Sequence, residues 1–232
     1  MKKLGALLTL VLAAGLLGLP SSAQAAGVVR LDGVAVHLHR GTTQVVTVNR
    51  TKGYHARVVL WRKQRGSWHR VATAKDGRIG YGGLVARTKR KQGSGTTPLG
   101  TFGLTSAFGT HAKKKGWRLG YWKIKNGDYW VEDNGSRYYN RYRNKRQGGF
   151  RWRLPAGNVN GSERLKDYPR QYEYAIVTSF NSGQVRHRGA GIFLHVNGRG
   201  ATAGCVSAPR WFLRQVMTRL RPGLHPVIAV GR

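Results

Sequence analysis

Gly191-Ile192-Phe193-Leu194-His195-Val196 is followed, across Asn197-Gly198-Arg199-Gly200-Ala201, by Thr202-Ala203-Gly204-Cys205-Val206-Ser207. The first run is apolar around a single histidine, the composition of a buried strand. The connecting stretch is rich in glycine and reads as a loop. Beyond the cysteine, Phe212, Leu213, Val216, Met217 and Leu220 recur at helical spacing. Pro209 falls near the first turn, Ser207 is the expected N-cap, and the helix is expected to start near Ala208. Pro222-Gly223 ends it, with Arg219 and Arg221 near its C-terminus. This order of strand, loop, thiol and helix predicts Cys205 just ahead of a helix N-terminus, where backbone N–H groups favour a thiolate.

Cys205 is the only cysteine in the chain. The N-terminus makes that unusual, because it carries the marks of export. Lys2 and Lys3 precede an apolar stretch from position 4 to 19, and Ala23-Gln24-Ala25 supplies a small-x-small cleavage pattern. Residues 1–25 are therefore expected to be a signal peptide and residues 26–232 a single secreted domain. No other run is long enough to span a bilayer, so no transmembrane segment is expected in the mature chain. Exported proteins pair their cysteines as disulfides. A lone cysteine is either a small buried hydrophobe or a nucleophile with a nearby base.

Charge is lopsided, with 41 Lys plus Arg against 8 Asp plus Glu and a formal net charge of +33. Basic runs occur at Arg87-Thr88-Lys89-Arg90-Lys91, at Lys113-Lys114-Lys115 and across residues 137–146. Each reads as a solvated face, and their spread suits a generally cationic surface. It does not suit a groove that reads a duplex, so no specific nucleic acid is expected; for an exported chain the available polyanions are anionic cell-wall polymers, anionic lipid headgroups and released nucleic acid.

The rest of the chain reads mainly β. Expected strands lie at 34–38, 44–48, 57–61, 68–72, 117–124, 128–132, 172–180, 191–196 and 226–230. Gln64-Arg65-Gly66-Ser67 reads as a hairpin turn. The 33 glycines fit many tight turns, and neither a linker nor a repeat divides the chain.

The His195 and Cys205 segments together resemble the catalytic signature of the YkuD-like L,D-transpeptidases. Three further stretches carry the likeness. Gly93-Ser94-Gly95-Thr96-Thr97-Pro98-Leu99-Gly100-Thr101-Phe102 resembles the family's Thr-Pro-x-Gly-x-Phe segment. Trp130-Val131-Glu132-Asp133, with Ser136-Arg137-Tyr138-Tyr139-Asn140, resembles a Trp-Val-Asp-Asp…Tyr-Tyr-Asn stretch of one branch. Residues 168–181 resemble that branch's strand leading to the histidine. The likeness runs from about residue 44 to the C-terminus. The loop before Cys205 is short, Ala203 replaces a histidine, and Ser207 replaces an Asn or Arg. The short loop and the missing histidine match the same short-loop branch.

The resemblance implies a mainly β, sandwich-like catalytic fold with a few short helices, acting on peptidoglycan stem peptides. Cys205 would be the nucleophile and His195 the base, as a thiolate–imidazolium pair. Backbone N–H groups of Gly204 and Cys205 would hold the oxyanion. Asn197, Arg199, Thr202, Ser207 and Tyr139 are candidate substrate contacts. A thioester would pass to an amine acceptor, and a carbapenem would acylate the same thiol. Neither a cofactor nor a metal is implied. Two other functions stay open at this point: an L,D-carboxypeptidase or endopeptidase of the same fold, and a non-catalytic cationic wall-binding protein.

Overall fold

The computed structural model describes residues 27–232; the expected signal peptide lies outside them. The elements in chain order are β1 (Val28–Leu31), β2 (Val34–His37), β3 (Gln44–Arg50), β4 (His55–Gln64), β5 (Ser67–Arg78), β6 (Leu84–Ala86) and β7 (Thr97–Gly109). Then come β8 (Gly120–Lys123), β9 (Asp128–Trp130), β10 (Tyr142–Asn144), β11 (Glu163–Arg164), β12 (Ala175–Thr178), β13 (Phe193–Val196) and β14 (Val206–Ala208). The helix α1 (Arg210–Arg219) and β15 (Val227–Gly231) complete the chain. The mainly β reading holds.

β3, β4 and β5 form an antiparallel meander. Its β4–β5 turn is Arg65-Gly66, both at positive φ (48° and 85°). That is the mirror-image two-residue turn whose twist matches the flanking strands. β3 is buried on both faces because its alternate residues serve two cores. Val46 and Val48 enter the main core, whereas Val45 packs beneath the β1–β2 hairpin with Leu31, Val34 and Val36.

β7 was expected only as a motif, and it organises the molecule. Its first half pairs antiparallel with β15, Thr101 opposite Ala229, while its second half pairs with β12, Phe108 opposite Ala175. One strand thus serves both layers, and the pairings β12-β13-β14-β5-β4-β3-β15-β7 close on themselves. The main core fills this ring, with α1 contributing Phe212, Leu213, Val216 and Met217.

Three expectations need correction. α1 begins at Arg210 with Pro209 as its N-cap, and no side chain caps it. Ser207 lies in β14 with its hydroxyl donated to Asn197 Oδ1 at 2.7 Å. The expected strand at residues 172–180 shrinks to β12, because Gln171–Glu173 winds into a 3₁₀ turn.

Candidate active site

β13 is buried at all four positions, held between antiparallel β12 and parallel β14. In the second pairing Leu194 faces Val206 and His195 faces Ser207. Side chains alternate across a sheet with period two, and paired residues share a face. Leu194, Val196, Val206 and Ala208 therefore enter the main core. Phe193 and His195 turn to the opposite face, and so does Cys205, one step before β14. There Phe193 packs with Phe108, Trp130, Tyr139 and Tyr172, and Cys205 lies against this aromatic floor.

Above the floor opens a cleft of about 520 Å³, lined by Cys205, His195, Arg90, Glu132, Glu163 and Tyr172, with residues 198–203 on one rim. The structure thus brings the two sequence-predicted partners into one cavity. No hydrogen bond joins them among the described residues. Cys205 Sγ, half-buried, donates to Gly191 O at 3.0 Å and accepts from Phe193 N–H at 3.3 Å.

His195 is buried, with Nδ1 2.8 Å from the Val196 carbonyl. A carbonyl only accepts, so Nδ1 carries the proton and Nε2 keeps its lone pair. Tyr172 stands edge-on to the imidazole, ring centroids 5.5 Å apart, and fixes its plane. Burial lowers the His195 pKa to about 4, partly opposed by the Val196 carbonyl. Burial also pushes the Cys205 thiol well above its ordinary range, helped by Glu163, against the pull of Phe193 N–H and Arg90. Desolvation thus pushes both groups toward their neutral forms and works against the expected thiolate–imidazolium pair. Cys205 does not directly precede α1, because β14 lies between them along the chain.

The backbone around Cys205 is pinned by the Thr-Pro segment. Thr97 Oγ1 donates to Gly204 O at 2.8 Å and accepts from Gly80 N–H at the same distance. Thr202 Oγ1 donates to Cys205 O at 2.6 Å and accepts from Gly204 N–H at 3.1 Å. That second bond corrects the expected oxyanion site: the Gly204 N–H already has an acceptor, whereas the Cys205 N–H has none among the described residues.

The Trp130…Asn140 motif supports Gly191. Asn140 Oδ1 accepts from Trp130 Nε1 at 2.8 Å and from Gly191 N–H at 3.0 Å, and its amide nitrogen donates to the carbonyls of Phe180 and Asn181. Asn140 sits at φ +56°, a conformation asparagine tolerates better than most residues.

Of the candidate substrate contacts, Arg199 and Thr202 line the cleft. Asn197, Ser207 and Tyr139 do not. Asn197 is tied to Asp76 and Ser207. Ser207 is fully buried, and so is Tyr139, whose hydroxyl bonds Gln92.

The sequence reading missed the acidic wall. Glu132, Glu163 and Asp167, three of only eight acids in the chain, line this one cleft. Burial raises both glutamates, and Glu163 raises Glu132 further. Tyr172 O–H donates to Glu163 Oε1 at 2.6 Å. Arg90, read as part of a solvated basic run, is buried beside Gly204. Their only signal in the sequence was the scarcity of acids.

Residues 43–228 match the family model for the YkuD L,D-transpeptidase catalytic domain. Among solved structures, Bd1075 of Bdellovibrio bacteriovorus is similar at 13% identity and a TM-score of 0.41, covering 82% of this chain and 48% of that one. L,D-transpeptidase 1 of Mycobacterium tuberculosis is similar at 12% identity and 0.36, covering 81% and 61%. An L,D-transpeptidase from Mycobacterium smegmatis is similar at 10% identity and 0.37, covering 87% and 64%. The chain thus spans about half to two thirds of the length of these structures. No curated protein matches it in sequence.

Proposed function

The chain belongs to the YkuD family of L,D-transpeptidase catalytic domains, and we propose that it is an exported enzyme joining peptidoglycan stem peptides through a Cys205 thioester. One observation carries the reading: Cys205 and a neutral His195 with its Nε2 lone pair free share a single cleft on one sheet face. As Cys205 Sγ attacks the donor carbonyl, His195 Nε2 takes the thiol proton, because no thiolate is formed in advance. The tetrahedral intermediate collapses, His195 returns the proton to the departing amine, and a thioester remains. An acceptor amine then attacks the thioester, His195 removes its proton, and the thiol is regenerated with a new amide. The family's donor is a stem tetrapeptide cut after its third residue, with release of a terminal D-alanine.

In a chain of net charge +33, Glu132, Glu163 and Asp167 line the cleft, and burial raises both glutamates toward their neutral forms, so the choice between an amine acceptor and water is decided by the product test below. Lys113, Lys123 and Lys125, grouped around exposed Trp122 in a second groove, belong to a cationic exterior suited to anionic wall polymers.

The test incubates residues 26–232 with a disaccharide-tetrapeptide, with and without an amine acceptor, and records masses of protein and products. A thioester adduct on Cys205, D-alanine release and an acceptor-dependent amide are expected. A carbapenem should add one adduct to wild type and none to Cys205→Ala. Transpeptidation by Cys205→Ala would refute the mechanism, and products identical with and without acceptor would make the protein a hydrolase.

A further inference from the structure

Arg90 is a buried charge that the thioester mechanism leaves unused. It is 6% exposed, yet it lines the cleft. Nε donates to Thr96 O at 2.8 Å, Nη1 donates to Arg188 O at 3.1 Å, and the guanidinium lies 5.5 Å from the Phe180 ring centroid. Among the described residues Nη2 has no hydrogen-bond partner, and Arg90 takes part in no salt bridge. Burial lowers the Arg90 pKa, opposed through space by Cys205 and Glu132, so the buried charge is only partly compensated at rest.

Two glycines make room for the guanidinium. Gly189 lies at φ +99°, and a Cβ there would stand 1.5 Å from Nη1. Gly204 lies at φ +133°, and a Cβ there would stand 2.8 Å from Nη2. Nη2 therefore lies against the backbone immediately before the nucleophile, where the carbonyl oxygen of a substrate attacked by Cys205 turns into an oxyanion. Of the two backbone donors expected there, the Gly204 N–H is engaged by Thr202 Oγ1. The site is one donor short, and an unpartnered charged donor adjoins it.

We infer that Arg90 Nη2 and the Cys205 N–H together form the oxyanion hole, the guanidinium taking the place of the Gly204 amide. This rests on the thioester mechanism proposed above. As Sγ bonds to the carbonyl carbon, the π electron pair moves onto oxygen, and Nη2 donates a hydrogen bond to it without losing its proton. Collapse returns the pair to the carbonyl as the amine leaves. The charge, partly compensated at rest through space, gains a hydrogen-bonded anion on Nη2 only while the oxyanion exists, which is differential stabilisation of the transition state. Arg90 also lowers the thiol pKa through space, a smaller effect that the test separates.

The test compares wild type, Arg90→Gln and Arg90→Lys in two reactions of the same thiol. Acylation by the disaccharide-tetrapeptide or by a carbapenem builds an oxyanion, whereas alkylation by iodoacetamide does not. Arg90→Gln should lower kcat for acylation by about 10²–10³-fold, the usual cost of one oxyanion donor, with KM nearly unchanged. Its alkylation rate should fall by less than about tenfold, since only the thiol pKa changes. Arg90→Lys keeps the charge but loses the planar fork, and should fall between the two. If Arg90→Gln fails to fold by thermal melt, the Lys variant carries the same comparison. Equal losses in acylation and alkylation would overturn the proposal, as would a raised KM with unchanged kcat, which would assign Arg90 to a substrate carboxylate. If wild type forms no adduct on Cys205, the thioester mechanism itself has failed.

Discussion

Acidification should destabilise this protein through His195, by an amount that its burial sets. The ring is 7% exposed, and burial lowers its pKa from 6.5 to about 4. In the unfolded chain this histidine takes up a proton as pH falls below 6.5, while in the folded chain it stays neutral down to about 4. Throughout that window the unfolded state binds more protons, so stability is lost as pH falls. At about 1.4 kcal/mol per pH unit between the two values, the loss between pH 7 and pH 4 is about 3 kcal/mol. Glu132 and Glu163 act with the opposite sign, because burial raises them and the folded state protonates first. Asp133 and Glu173, held near 2 by Arg151 and Arg210, act with the same sign as His195, below about their ordinary values. All four persist in His195→Gln, so the difference between two pH series isolates the imidazole. Urea unfolding of both proteins from pH 7 to pH 4 should show wild type losing about 3 kcal/mol more than the variant. Parallel curves would refute the buried neutral base. The same property places the acid limb of kcat/KM well below pH 6.5, and a limb at 6.5 would contradict it.

Cys205→Ser should fold normally yet lose transpeptidation, because a hydroxyl is far less acidic than a thiol and His195 is a weak base; serine turnover near the wild-type rate would count against the mechanism. Wild-type Cys205 should alkylate slowly at pH 7 and faster as pH rises, since burial keeps it a thiol; rapid, pH-independent labelling would reveal a preformed thiolate. Asn140→Ala strands the buried Trp130 and Gly191 N–H groups and should cost about 2–4 kcal/mol in urea unfolding; a loss under about 1 kcal/mol would show that solvent replaces the amide. Retention on isolated anionic wall polymer should fall steeply with salt at a net charge of +33, while turnover of a small donor changes little; salt-independent retention would remove the cationic surface as the adhesive element.

The candidate pair His195 and Cys205 was legible because it is local. A strand of period two, a glycine loop and the only thiol place His195 and Cys205 on one sheet face through β13–β14 pairing alone. The helix was legible too, since Phe212, Leu213, Val216 and Met217 follow one stripe. Its start was misjudged because Ser207 resembles a cap in sequence, while pairing with β13 keeps it in a strand. Burial removed Ser207 from the candidate substrate contacts, and hydrogen bonds to Ser207 and Asp76 hold Asn197 away from the cleft.

Chain order and side-chain chemistry by themselves singled out His195 and Cys205 as the candidates for the proposed reaction. Only the tertiary structure decided their state. Arg90 reads as one charge in a basic run, and becomes buried because Gly189 and Gly204, distant in sequence, open a path for its guanidinium. Glu132 and Glu163 reach Cys205 from separate segments around β9 and β11, packed over the floor that β7, β12 and β13 build. The protonation of His195 and Cys205 depends on how much water these segments exclude. Desolvation sums over every neighbour in space, whereas sequence spacing records only neighbours along the chain.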